Sequence, residues 1–183
     1  MNRLLIFSLI QLFFLRPLFG TTINIPEDFN SIQAGIENSI NGDTVLISRG
    51  VYSEQVSISS HSITLASNYL ITQDSLDILE TVIDGSGNPY VITIGNSIAN
   101  ATIISGLTIQ NGDDGILPYS CFEINNCIIR NCVDGIDYET GSGGTCENNS
   151  IYNNVDDAID VDGFVEVTIA NNVLSNNGDD GIE

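Results

Sequence analysis

A short acidic string recurs four times in the C-terminal half of this chain. Each copy begins with Asn, continues through Asp and a small residue, and ends with Ile; the copies are Asn111–Ile116, Asn131–Ile136, Asn154–Ile159 and Asn177–Ile182. The marker residues of these copies, Asp114, Asp134, Asp157 and Asp180, are spaced by 20, 23 and 23 residues. A period of this length predicts stacked supersecondary units, each too small to bury a hydrophobic core alone.

Between the markers, apolar and polar residues alternate in short runs, as in Ile136–Glu139 and Val165–Ile169. Such alternation predicts strands with one buried face. The clusters of Asn, Gly and Asp between the runs predict tight corners, because these residues tolerate a left-handed backbone. The repeats lack helical apolar spacing and the dense Leu pattern of leucine-rich repeats. The sequence therefore predicts an all-β solenoid in which each repeat forms one rung of a parallel β-helix.

Four columns of residues keep the phase of the repeat and are predicted to stack from rung to rung. The amide columns are Asn126, Asn149 and Asn172, and Asn111, Asn131, Asn154 and Asn177. The apolar columns are Thr108, Ile128, Ile151 and Leu174, and Ile116, Ile136, Ile159 and Ile182. Stacked amides can bond to one another and to the backbone, so the Asn columns predict ladders that need no ligand.

The N-terminal segment differs from the repeats in composition. Arg3 precedes an apolar run from Leu4 to Leu15 that is too short to span a bilayer, and Gly20 ends the segment with a small residue. We therefore expect residues 1–20 to be a secretory signal peptide. The mature protein is expected to be secreted or displayed at the cell surface, without spanning the membrane.

Residues 21–43 are predicted to form an N-terminal cap with a short amphipathic helix, which starts at Asn30 or Ser31 and carries Ile at intervals of four. Residues 44–183 are predicted to form the β-helix repeats. The first strands are expected at Gly42–Ile47, Val56–Ile58, Ile63–Ala66, Thr81–Ile83, Val91–Ile94 and Ala101–Ile104. Ser67–Leu79 breaks the rhythm and is expected to loop out, and the stop at Glu183 suggests repeats truncated from a longer protein.

The charge balance narrows the choice of partners. The chain has 24 acidic residues against four basic ones, and removal of residues 1–20 leaves Arg49 and Arg130, for a formal charge of −22 (2 − 24). Nucleic acid is excluded as a default partner, because phosphate binding needs Lys and Arg. The cysteines Cys121, Cys127, Cys132 and Cys146 allow three disulfide pairings, but no two share a repeat column, so buried free thiols are preferred. The oligomeric state is left open.

One face of the predicted β-helix is expected to be acidic. Alternation points Asp137, Glu139, Asp160 and Asp162 outward, with Asp137 beside Asp160 and Glu183, and Glu139 beside Asp162, one rung of ~4.8 Å apart. Unit charges at 4 Å repel by about 1 kcal/mol even at the dielectric constant of water. Clustered carboxylates predict Ca²⁺, which accepts six to eight oxygen ligands. A solvated acidic face without an ion is the alternative.

The segment Ile25–Glu54 resembles the opening of right-handed parallel β-helix proteins of the pectate-lyase-like superfamily. The resemblance is carried by Ile25-Pro26, Ser31-Ile32-Gln33-Ala34-Gly35-Ile36, Gly42-Asp43-Thr44-Val45-Leu46-Ile47, Gly50-Val51-Tyr52 and Glu54. It implies a right-handed β-helix over roughly residues 21–183. The superfamily includes pectin methylesterases, pectate lyases and polygalacturonases, but a fold alone does not carry a function.

The enzymes of this superfamily imply candidate catalytic residues. The polygalacturonase pattern resembles Val133–Asp137 followed by Asp156–Ile159, which implies Asp134, Asp156 and Asp157 as acid and base. The same Asp-Asp string recurs in other repeats, and the His-Gly of that family is replaced by Asp180-Gly181. The base of the pectate lyases is Arg or Lys, which leaves Arg130 as a candidate without the surrounding motif.

The leading interpretation is therefore a carbohydrate-related binding or scaffold module with an acidic, calcium-binding face and a polysaccharide or cell-surface glycan as its partner. The alternative is a polysaccharide-degrading enzyme, either a pectate-lyase-like lyase or a polygalacturonase-like hydrolase that acts on an acidic polysaccharide.

Overall fold

The structure, a computed structural model, describes residues 20–95, 101–163 and 165–183. The predicted signal peptide, apart from Gly20, lies outside the described residues. Within these ranges, no helix combines the length and apolar character needed to cross a membrane.

Strands dominate the described chain, and three short helices interrupt them. The N-terminal elements are β1 Thr22–Ile25, α1 Ile32–Glu37, β2 Thr44–Ile47, β3 Gly50–Ser53, β4 Val56–Ile58, β5 Thr64–Ser67, α2 Tyr69–Thr72, α3 Ser75–Glu80 and β6 Thr81–Ile94. The C-terminal elements are β7 Thr102–Ser105, β8 Thr108–Pro118, β9 Cys121–Asn125, β10 Ile128–Arg130, β11 Asp134–Tyr138, β12 Gly143–Glu147, β13 Ser150–Tyr152, β14 Ile159–Val161, β15 Glu166–Ala170 and β16 Val173–Ser175.

The strands form two parallel sheets that wrap around one core. The first sheet, here called the first face, has the order β1-β2-β5-β7-β9-β12-β15. The second sheet turns a corner within the long strands β6 and β8, so it supplies two faces. The second face contains β3, β10, β13 and β16, and the third face contains β4, β11 and β14. This arrangement is the predicted right-handed parallel β-helix.

The core is a set of apolar columns, and two details of the predicted columns are wrong. Ile116, Ile136 and Ile159 stack in register and are fully buried, as predicted, but Ile182 is 48% exposed because no described strand covers it. Ile128 stacks on Thr108 and on Ser150, and not on Ile151. The buried column of the second face is instead Ile109, Ile129, Ile151 and Leu174.

Each Asn-rich corner contains two residues with different structural roles. Each predicted Asn column wrongly combined residues of both kinds. The first residue has a left-handed backbone: Asn126, Asn148 and Asn171 at one corner, and Asn111, Asn131, Asn153 and Asn176 at the next. The second residue forms the ladder. Asn172 Oδ1 accepts the backbone N–H of Asn149 at 2.8 Å, and Asn149 Oδ1 accepts that of Cys127 at 2.9 Å. At the second corner, Asn177 and Asn154 accept from Asn154 and Cys132 in the same way.

The helix α1 covers the first rungs, as predicted. The Ser31 hydroxyl caps it by accepting the N–H of Ala34 at 3.2 Å, and Ile32 and Ile36 are buried against the core. The carboxylate of Glu54 accepts the N–H groups of Ile32 and Gln33 at 2.9 and 3.0 Å. The unpaired amides at the start of the helix are therefore satisfied from the neighbouring rung.

The segment that breaks the repeat rhythm carries the helices α2 and α3 outside the stack. Arg49 holds it by ion pairs to Asp74, Asp77 and Glu80 at 2.8, 2.6 and 3.2 Å. The Thr108 hydroxyl donates to the backbone carbonyl of Ile78 at 2.7 Å and ties α3 to the second face. The predicted loop is therefore a fixed helical insertion.

Candidate functional site

The third face carries the predicted row of outward carboxylates. β11 and β14 pair in parallel register, with Ile136 beside Ile159 and Asp137 beside Asp160. Alternation along each strand turns the Ile residues into the core and the Asp residues outward. The strand periodicity read from the sequence therefore gave the correct orientation and the correct neighbour for both Asp residues.

Two groups of carboxylates on this face are close enough to share an ion. The first group, here called cluster 1, contains Asp137, Asp160 and Asp162, and their nearest oxygens all lie within 4.8 Å of one another. A second group, cluster 2, brings Asp157 and Glu183 to the same Asp160 within the same distance. Ca²⁺ accepts six to eight oxygens in flexible geometry, so three carboxylates and water can complete its shell.

Asp137 is in the least favourable environment of cluster 1. One oxygen of its carboxylate is shielded from solvent and has no hydrogen-bond partner among the described residues. Burial, together with the negative charges of Asp114 and Asp160, raises the pKa of Asp137 to about 7. A carboxylate that is desolvated and surrounded by like charge is stabilised either by a proton or by a cation.

Asp114, the marker residue of the first repeat, extends the same electrostatic environment by one rung. It lies in register with Asp134. Burial and the neighbouring charge of Asp134 raise the pKa of Asp114 to about 6. Burial also raises the pKa of Asp160, with a further contribution from Asp162. Sequence gave no signal for Asp114, because the same Asp occurs in all four copies and its burial depends on neighbouring rungs.

Neither Arg in the described part of the chain forms a salt bridge to this face. Arg49 is committed to the helical insertion. Arg130 lies at the end of β10 on the second face, where it donates to Gln110 Oε1 at 3.0 Å and to the Tyr152 hydroxyl at 3.2 Å. The acidic face therefore lacks an internal counter-ion within the described ranges.

The predicted metal ligands are divided between the two clusters. Asp137, Asp160 and Asp162 come together, whereas Glu183 approaches Asp160 and Asp157 in cluster 2. Glu139 belongs to neither cluster, although its negative charge contributes to the raised pKa of Asp137. The assignment of these residues as calcium ligands stays a prediction.

The predicted catalytic Asp residues are placed in different surroundings. Asp134 accepts the backbone N–H of Asp157 at 3.0 Å, and Asp157 accepts that of Asp180 at 2.6 Å. Asp157 is 3% exposed, while Asp156 is exposed. Asp134 and Asp157 thus each link two successive rungs, which gives two of the four marker residues a structural role. The catalytic role of Asp134, Asp156, Asp157 and Arg130 stays a prediction.

The four cysteines are free thiols in this structure. Cys127, Cys132 and Cys146 are buried, in line with the preferred interpretation, whereas Cys121 is exposed. Their register explains the absence of pairing, because Cys121 lies beside Gly143 and Cys146 lies beside Ile124.

Comparisons with known proteins identify the fold. Residues 69–183 match the family model described as "Right handed beta helix region". No curated protein sequence matches the chain. Among solved structures, the chain is similar to an alginate lyase from Paenibacillus sp. str. FPU-7, with a TM-score of 0.68 and 16% sequence identity. The match covers 88% of this chain and 64% of the alginate lyase, and at this identity it concerns the fold alone.

Proposed function

We propose a binding function for this chain, which belongs to the right-handed β-helix family. In this proposal it is a secreted or cell-surface module that holds Ca²⁺ on the third face. Through the bound ion, it binds a polysaccharide that carries carboxylate groups.

The observation that carries the proposal is the environment of Asp137. Its shielded oxygen has no hydrogen-bond partner among the residues that the structure describes, and Asp160 and Asp162 approach within 4.8 Å. Neither described Arg forms an ion pair there. A divalent cation would satisfy the open oxygen and offset the repulsion among the three carboxylates.

The choice of ligand follows from charge. An acidic face repels an acidic polysaccharide, and a calcium ion with free coordination positions reverses that preference locally. The ion would then bridge protein carboxylates and uronate carboxylates. The fold similarity to an enzyme named as an alginate lyase supports the choice of a uronate polymer as the first probe.

The test is calorimetric titration of the chain with alginate oligosaccharides, in millimolar Ca²⁺ and again in EDTA at matched ionic strength. We expect binding in Ca²⁺ that is lost in EDTA and in Asp160→Asn. Glu166→Gln is the matched control, because Glu166 is an exposed acid at the start of β15 on the first face. Equal binding in Ca²⁺ and EDTA would contradict the proposal.

An enzymatic function on an acidic polysaccharide is the second candidate, and one observation favours it. Asp114 and Asp137, with pKa values raised to about 6 and about 7, could hold and release protons near neutral pH. Incubation with alginate and with polygalacturonate separates the classes. Unsaturated ends indicate a lyase, new reducing ends alone indicate a hydrolase, and neither product favours the binding module.

A further inference from the structure

A groove separate from the acidic face lies between the helical insertion and the first Asn-rich corner. Its cavity volume is about 390 Å³, within the range of small-ligand pockets. One wall is α3, which contributes Ile78 and Leu79. The other wall is the stacked corner of three rungs, which includes Asn126, Asn148 and Asn171.

The α3 wall is held rigidly in place. The three ion pairs of Arg49 and the hydrogen bond from Thr108 to the Ile78 carbonyl fix the insertion against the stack. The side chain of Leu79 remains 49% exposed. A fixed helix with an exposed aliphatic side chain over a groove is a preformed surface for ligand contact.

The corner wall repeats one polar group from rung to rung. Asn126, Asn148 and Asn171 occupy equivalent positions at successive rungs, so the first and the last are about 10 Å apart along the stack. The ladder below them is formed by Asn149 and Asn172 and does not use these amides. In the described part of the chain, no group bonds the side-chain amides of Asn148 and Asn171, and both residues are exposed.

The charge of the groove differs from that of the protein. Its lining residues are Ser, Asn, Cys and aliphatic residues, without an acidic or basic side chain, whereas the whole chain has a formal net charge of −20. A cation would find no carboxylate in the groove, and an anion would find no Lys or Arg. The lining therefore favours an uncharged ligand with both hydroxyl groups and apolar C–H surface.

We propose that this groove binds a neutral oligosaccharide that lies along the solenoid axis. Amide groups repeated at the rung spacing can donate to and accept from hydroxyl groups that repeat along a sugar chain. Leu79 and Val173, both exposed, offer apolar contacts for the C–H faces of the sugar rings. The groove acts without Ca²⁺, so this site is independent of the binding function proposed for the third face.

The test is binding of cellohexaose and mannohexaose in EDTA, measured by saturation-transfer NMR and by calorimetry. The double variant Asn148→Gly/Asn171→Gly removes two amides without backbone strain, because Gly accepts the left-handed conformation found there. The matched control is Asn153→Gly/Asn176→Gly, which makes the same change at the second corner, outside the groove.

We expect at least one hexasaccharide to bind, with an affinity about tenfold lower in the groove variant, as the loss of one or two hydrogen bonds predicts. The control variant should bind like the unmodified protein. Equal weakening in both double variants, or no binding of either sugar, overturns the proposal.

A second pair of variants covers the case in which the Gly variants lose stability. Leu79→Asp introduces a charge into the groove at an exposed position, and Leu70→Asp does so on α2 at a similarly exposed position outside the groove lining. Loss of sugar binding in Leu79→Asp alone supports the site. Unchanged binding in Leu79→Asp overturns it, as does a groove that takes up a hydrophobic dye but no sugar.

Discussion

The carboxylate of Asp134 accepts the backbone N–H of Asp157 at 3.0 Å, which joins two marker residues of adjacent repeats. The same bond recurs between Asp157 and the N–H of Asp180 at 2.6 Å. The marker Asp residues at positions 134 and 157 thus connect neighbouring rungs by hydrogen bonds at the edge of the third face. The outward carboxylates of Asp137 and Asp160 lie three positions further along the strands and belong to cluster 1, whereas Asp157 both accepts this backbone bond and approaches Asp160 in cluster 2.

The first prediction tests the hydrogen bond from the backbone N–H of Asp157 to the carboxylate of Asp134. Asp134→Ala removes the acceptor of the Asp157 N–H and should lower the free energy of unfolding by about 1–3 kcal/mol, the cost of a buried donor left without a partner. Asp134→Asn keeps an acceptor oxygen and should retain most of the stability. Urea unfolding followed by circular dichroism measures both variants, and an Ala variant as stable as the Asn variant would show that the bond contributes nothing.

The second prediction tests the core register. Ile159 is fully buried, so Ile159→Asp places an unpaired charge in the core and should cost about 4 kcal/mol or more, unfolding the neighbouring rungs. Ile182→Asp is the control, because Ile182 is 48% exposed in the same column. The melting temperatures of both variants are measured by thermal denaturation. An unchanged melting temperature for Ile159→Asp would rule out the register in which Ile159 stacks on Ile136 in the core.

The third prediction concerns the cation. A ligand that binds the folded state alone adds about 2.7 kcal/mol at a free concentration of 100 times its dissociation constant. We expect millimolar Ca²⁺ to raise the melting temperature above that in Na⁺ at matched ionic strength, and Asp160→Asn to abolish the difference. Screening by ionic strength acts equally in both salts, so identical melting temperatures would leave a solvated acidic face.

The fourth prediction is a pH dependence in EDTA. The pKa of Asp137 is raised to about 7 and that of Asp114 to about 6, whereas an unfolded Asp titrates near ~4. The folded protein therefore binds more protons than the unfolded chain between these values. The stability contributed by these groups is complete below about pH 4 and is lost as the pH rises through about 7.

Thermal melts from pH 8 down to pH 5 should accordingly show a rising midpoint. Asp137→Asn should flatten that slope, and Glu166→Gln on the first face should leave it unchanged. A midpoint that falls steadily with acidification, or an unaltered slope in Asp137→Asn, would contradict the assignment.

The fifth prediction concerns the thiols. Burial raises the pKa of Cys127 to about 12 and of Cys132 and Cys146 to about 11, so these thiols stay protonated and shielded. Cys121 is exposed. A thiol-reactive disulfide reagent should modify one cysteine in the native protein and four in denaturant. Modification that remains incomplete in denaturant would indicate a disulfide.

A single inserted residue shows why the sequence placed the acidic face correctly and the Asn columns incorrectly. From rung to rung, Ile128 pairs with Ser150 and Cys132 with Asn154, both 22 residues apart, whereas the next marker pair is 23 apart. The extra residue therefore lies in the corner between Asn154 and Asp157. Alignment of the repeats by their marker residues therefore gives the correct cross-rung partners after that corner. Before that corner, the same alignment gives partners that are shifted by one residue.

The local pattern of the chain determined the features that depend on neighbouring residues. Strand alternation, the corner residues and the cap at Ser31 arise from backbone and side-chain preferences within a few positions, so the β-helix, the helix α1 and the outward direction of Asp137 and Asp160 could be predicted. The recurrence of Asn likewise predicted ladders that bond along the solenoid axis, although each predicted column combined two kinds of corner residue.

Tertiary structure decided the burial of individual side chains and the contacts across rungs that the repeat period does not specify. The desolvation of Asp114, the unpartnered oxygen of Asp137 and the separation of Glu139 from cluster 1 arise from burial and from register between residues about 20 positions apart. The ion pairs of Arg49 convert an irregular segment into one wall of a groove. Such contacts have no local signature, because burial and electrostatic coupling depend on distance in space and not on distance along the chain.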